Sequence, residues 1–153
     1  MYKPSLLFDR TPEQRRDNFK SWNRPDQAFF AAGACHILAE MFTLQHQHEG
    51  FKMIFIKPGA GFPGNHVYAA NDTWAFDHNG WTKEQDLLAA TTAAYTKRYP
   101  GWTYTRHVIE PSLTALEDFC KANNHLLPWQ YAYLPWERAY TYIQQFSEAP
   151  PDA

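Results

Sequence analysis

The sequence predicts an α+β fold in which several helices pack on a largely antiparallel sheet. Apolar residues recur at helical spacing in the first quarter of the chain, around residues 87–95 and near the C-terminus. Short runs rich in β-branched and aromatic residues lie between these stretches. The middle runs follow one another across turn residues rather than across helices, which favours antiparallel pairing.

Thr11-Pro-Glu-Gln supplies an N-cap, a proline at the first helical position and an early acid, so residues 11–22 read as one short polar helix ended by Asn23-Arg-Pro25. A second start falls at Asp26, and Ala34, Ile37, Leu38 and Met41 then recur at i, i+3, i+4 and i+7. Cys35, Ala39 and Phe42 fill the adjoining stripe, so this helix is apolar almost all round and belongs in the core. Gly33 interrupts it, and a helix that begins only there carries Cys35 in its first turn.

Phe51 to Lys57 reads as a strand buried on both faces. Pro58 to Gly64 is turn chemistry, and His66–Ala70 with Trp74–His78 forms a hairpin around Asn71-Asp-Thr73. Thr82 to Gln85 has the capping-box pattern and opens a helix that Pro100-Gly101 stops. Trp102–Ile109 is a further strand, and Ser112 caps the next helix. Pro128 and Pro135 bracket a short edge strand, after which Trp136, Ala139, Tyr140 and Ile143 mark a last helix.

At 153 residues the chain suits a single domain spanning 1–153, and its 44% hydrophobic and 20% charged residues exclude wholesale disorder. Fourteen Lys and Arg against sixteen Asp and Glu leave a net charge of −2, which argues against a nucleic-acid partner. No stretch reaches the ~20 apolar residues of a membrane span, and the N-terminus lacks the apolar region of a secretory signal. Two cysteines without a CxxC pair suit a reducing compartment, and a cytoplasmic location is expected.

Cys35 near a helix start, His66 at the head of one strand and Asp77 near the end of the next combine a thiol nucleophile, a base and an orienting acid. First-turn amides and the positive end of the helix dipole favour the thiolate, the only form that attacks. A two-residue turn at Asp72-Thr73 sets His66 opposite residue 79, which leaves Asp77 diagonal to it on the same sheet face. The cysteine helix is expected to pack over that sheet, bringing the sulfur to one imidazole nitrogen while the other nitrogen faces Asp77.

Gly33-Ala-Cys35-His-Ile-Leu-Ala, followed by His66 to Asp77 with Trp74 and Phe76 ahead of the acid, resembles the papain-like thiol hydrolase superfamily, its transglutaminase-like branch above all. The resemblance implies a papain-like domain with Cys35, His66 and Asp77 as the triad. It also implies acyl transfer to or from an amide, isopeptide or ester of a peptide, a protein or a small molecule. No cofactor or metal is expected. The family's oxyanion glutamine normally stands a few residues before the cysteine, and Gln27, eight residues before it, is the candidate.

Other readings compete with these. Cys120 with His107 or His125 is a rival dyad, but Cys120 lies late in its helix. His46, His48 and Glu49, with His36 and His78, lack the spacing of a zinc site. Gly59 to Gly64 lacks the Lys-Ser/Thr ending of a phosphate-binding loop. A papain-like scaffold without catalysis, binding a protein through the aromatic segment Trp129–Trp136, is the alternative from another class.

Overall fold

The computed structural model describes residues 1–151. It is an α+β structure with seven α-helices among these residues and one five-stranded sheet. Strands β1 (Lys52–Pro58), β2 (His66–Ala70), β3 (Trp74–Asp77), β4 (Gly80–Lys83) and β5 (Tyr104–Ile109) run in the order β4-β3-β2-β1-β5, every neighbour antiparallel. β1 lies between β2 and β5, and its two faces separate the core. Ile54 and Ile56 pack with Tyr68, Ala75, Leu87 and Tyr95 on one side, Met53 and Phe55 with Cys35, Ala39 and Val67 on the other.

Helix α5 (Glu84–Arg98) covers the first side, while α3 (Asp26–Ala31), α4 (Cys35–Gln45) and α7 (Trp136–Ile143) cover the second. In α4 the residues Cys35, His36, Ile37, Leu38, Ala39 and Phe42 are all buried, as expected of a helix apolar on nearly every face. The break before it falls at Gly33, whose φ is +115°. A Cβ there stands 3.1 Å from Nη2 of Arg24 and 3.6 Å from Nη1 of Arg10, so steric and backbone demands coincide. Gly33→Ala is therefore expected to destabilise the fold by on the order of 1 to 3 kcal/mol. A shift of the urea midpoint measures this, and an unchanged midpoint refutes the assignment of strain.

Four expectations change at the elements. Residues 11–22 form two helices, α1 (Pro12–Arg16) and α2 (Asn18–Trp22), because Asp17 leaves the helical region at φ −127° and caps the second one through its carboxylate. Thr82 does not cap α5. It pairs with Ala75 inside β4, a strand that sequence reading missed, and α5 begins after Lys83 without a side-chain cap. The helix after Ser112 begins later, as α6 (Ala115–Asn123).

The edge strand expected between Pro128 and Pro135 is absent. Pro128–Gln130 is a 3₁₀ turn instead. Side chains hold that segment against the helices: Asn18 Nδ2 donates to the Gln130 carbonyl, and the Tyr131 hydroxyl donates to that of Gly33. No helix among the described residues is long and apolar enough to cross a membrane.

Candidate active site

Cys35 is the first residue of α4, and Ala34 before it contributes no side-chain cap. The first-turn N–H groups have no intrahelical acceptor, so they face outward as donors beside the sulfur. His66 opens β2 and Asp77 closes β3. The hairpin pairs Ala70 with Ala75 and Ala69 with Phe76, which is the register read from the Asp72-Thr73 turn. That parity brings His66 Nε2 to 2.9 Å from Asp77 Oδ2, with both side chains buried.

The sulfur reaches this pair differently from the expectation. Alternation assigns His66, Tyr68, Ala75 and Asp77 to the α5 side, whereas α4 packs on Val67, Ala69 and Phe76 of the opposite side. Contact is possible because Cys35 and His66 each begin their element. Cys35 packs against Val67, the neighbour of His66 in β2, and the His66 imidazole acts on the thiol. His66 Nδ1 makes no aligned hydrogen bond of its own, so its orbital is free for the sulfur's proton.

Asp77 is secured on every side. The Tyr2 hydroxyl and His66 bond to Oδ2, the Asn79 backbone N–H donates to Oδ1 at 2.9 Å, and His78 Nδ1 lies 3.4 Å from Oδ2. Burial works against its charge, but His78, His66 and Tyr2 together hold its carboxyl well below the ordinary range. Burial likewise opposes the charge on His66, yet Asp77 and Cys35 raise its pKa to about 9. Burial opposes a thiolate at Cys35, and contacts from His125, His36 and His66 outweigh it, so the thiol sits well below its usual value. Both shifts favour proton transfer from the thiol to the imidazole.

Cys120 has the opposite environment. Burial and the negative charges around it push its thiol up to about 11, and its Sγ faces the Leu126 carbonyl. Its rival partners are elsewhere: His107 bonds Thr105, and His125 stands at Cys35. Gln27 is not at the sulfur either. Its Nε2 donates to the His78 carbonyl at 3.3 Å, so the second oxyanion donor expected from it is not at the cleft.

A cleft of about 490 Å³ opens onto Cys35, lined among others by Arg10, Arg15, Gly64, Tyr95, Tyr99 and His125. Several site residues escaped sequence reading. Tyr2 reaches Asp77 across 75 positions, and His125 is delivered by a left-handed Asn124 at φ 56° that ends α6. The only local signal for the latter was an asparagine pair ahead of a histidine.

No family model, no curated protein and no solved structure matches this chain.

Proposed function

We propose that the chain is a papain-like cysteine enzyme performing acyl transfer or hydrolysis through Cys35, His66 and Asp77. The observation that supports this most is the convergence of a free imidazole nitrogen on a helix-start thiol, with a buried carboxylate behind the other nitrogen. Cys35 thiolate attacks the carbonyl carbon of an amide, isopeptide or ester, and the Cys35 backbone N–H receives the developing oxyanion. His66, protonated in the resting pair, gives its proton to the leaving amine or alcohol. Water or a second amine then attacks the thioester, passing a proton to His66 as the thiolate leaves. Asp77 keeps Nε2 protonated, so Nδ1 does the work. No step needs a cofactor. A reducing, cytoplasmic setting fits two free thiols.

p-Nitrophenyl acetate tests the chemistry without knowledge of the natural substrate. Wild-type protein is expected to release a burst of about one p-nitrophenolate per chain, with the acetyl group mapped to Cys35 by mass spectrometry. His66→Gln retains a donor toward Asp77 yet removes the base, so its burst rate should fall by on the order of 10² to 10⁴. An acetyl group found elsewhere, or an undiminished burst in that variant, overturns the reading.

The cleft also bears on what is bound. Neither Arg10 nor Arg15 is ion-paired with a carboxylate among the described residues, and Arg10 lies over Gly33, two positions before the nucleophile. Substrates with an anionic group near the scissile bond suit this arrangement. Iodoacetate should therefore react with Cys35 unusually fast relative to neutral iodoacetamide, and Arg10→Gln should lower that ratio by roughly three- to tenfold. An unaltered ratio removes Arg10 from substrate selection.

A second reading, protein binding, draws on the exposure of Trp129, Tyr133 and Leu134 in the segment before α7. It is separable, because those side chains lie outside the residues that line the Cys35 cleft.

A further inference from the structure

We propose that Cys35, His36 and His125 form a binding site for a borderline-soft divalent cation of the zinc class. The Cys35 sulfur and one ring nitrogen of each histidine lie within 4.8 Å of one another. Ligand atoms around tetrahedral zinc stand roughly 3.5 Å apart, so the three need to close by little more than an ångström.

The rings are already oriented as ligands. His36 Nε2 lies 2.8 Å from the Leu126 carbonyl oxygen, and His125 Nδ1 lies 3.0 Å from that of Asn123. A carbonyl only accepts, so those two nitrogens carry the ring protons. In the neutral rings Nδ1 of His36 and Nε2 of His125 offer lone pairs, and a cation binding there displaces the proton that Cys35 favours on His125. A carbonyl holding the distal N–H is the usual support of a metal-binding imidazole, because it fixes both tautomer and ring plane.

His36 is fully buried, and its Nδ1 has no hydrogen-bond partner among the described residues. An orphaned buried acceptor is unfavourable, and coordination satisfies it. The two rings meet edge to face with centroids 4.8 Å apart. Cys35 and His125 both line the cleft, which supplies an entry path and an open fourth position. The other nearby cluster, His66, Asp77 and His78, is less suited, since His66 Nε2 and Asp77 Oδ2 already bond each other.

This site stands whether or not Cys35 is a nucleophile. Where it is one, the cation occupies the attacking sulfur, so metal and acyl donor exclude each other. The triad and the metal site share only Cys35, and this makes them separable by mutation.

Titration of the full chain with Co²⁺ is expected to produce a thiolate-to-cobalt charge-transfer band at one equivalent, reversed by Zn²⁺. Cys35→Ser should abolish the band, and His125→Gln should weaken affinity at least tenfold. His66→Gln should keep a one-equivalent thiolate-to-cobalt band, with its pH dependence moved up, while losing the acyl burst. Zinc should protect wild-type Cys35 from iodoacetamide. X-ray absorption of the zinc-loaded wild type should show one sulfur and two imidazole nitrogens, a readout that does not depend on any variant folding. A band that survives Cys35→Ser, dependence on His66 instead of His125, or a zinc shell without sulfur overturns the proposal.

Discussion

At pH 6, iodoacetamide is expected to label Cys35 more than a hundredfold faster than Cys120. The comparison is internal to one protein, so reagent and conditions cancel. A thiol at about 11, as Cys120 has, is ionised to only about one part in 10⁵ at that pH, whereas the imidazoles around Cys35 hold its thiol well below the usual value. Intrinsic nucleophilicity falls with pKa with a slope of about 0.4 to 0.5, which returns roughly half of the logarithmic advantage to Cys120. Ionisation still favours Cys35. Access acts in the same direction, because Cys35 borders the cleft while Cys120 is sealed in the core. Equal rates, read by peptide mapping, remove the activated thiolate and with it the catalytic reading.

Asp77 carries the second large effect. Asp77→Asn is expected to slow acylation of Cys35 by on the order of 10⁴, since the amide can present its N–H to His66 and drive the ring proton onto the nitrogen that must act as base. Asp77→Ala should add a stability loss of about 3 to 5 kcal/mol, because His66 loses its charged partner within the core. The same carboxylate gives the pH dependence its sign. Its folded pKa is depressed, so its contribution is present above the unfolded value of ~3.9 and is lost as pH falls through the lower folded value. His66 acts oppositely, stabilising fully below ~6.5 and losing that contribution as pH rises through about 9. Chemical denaturation across pH should therefore show an acid limb that Asp77→Asn flattens. An acid limb unchanged in that variant assigns the effect to other carboxylates.

Much of this site was legible in sequence wherever the deciding interactions are local. The Asn71 to Trp74 turn sets the hairpin register, and register sets the parity that places His66 and Asp77 on one face. Gly33 marks where α4 begins, and with it the position of the sulfur among first-turn amides. The apolar stripe from Ala34 to Phe42 reports its own burial. Each depends on residues within a few positions of one another, where dihedral preference and periodicity dominate.

Other features required the whole chain. Nothing near Pro128 reports that Tyr131 will bond Gly33 rather than join a sheet edge, and nothing near Thr82 reports that β3 will claim its backbone. Tyr2 behind Asp77, His125 beside Cys35 and Arg10 above Gly33 come from segments distant in sequence, chosen by packing. The position of the sulfur beside Val67 and His66 was likewise decided by how α4 docks on β1, β2 and β3. Sequence determined that Cys35 opens a helix and that the hairpin turns His66 and Asp77 to one face. Only the tertiary structure decided what surrounds the sulfur, because burial and charge at a point depend on every element that converges there.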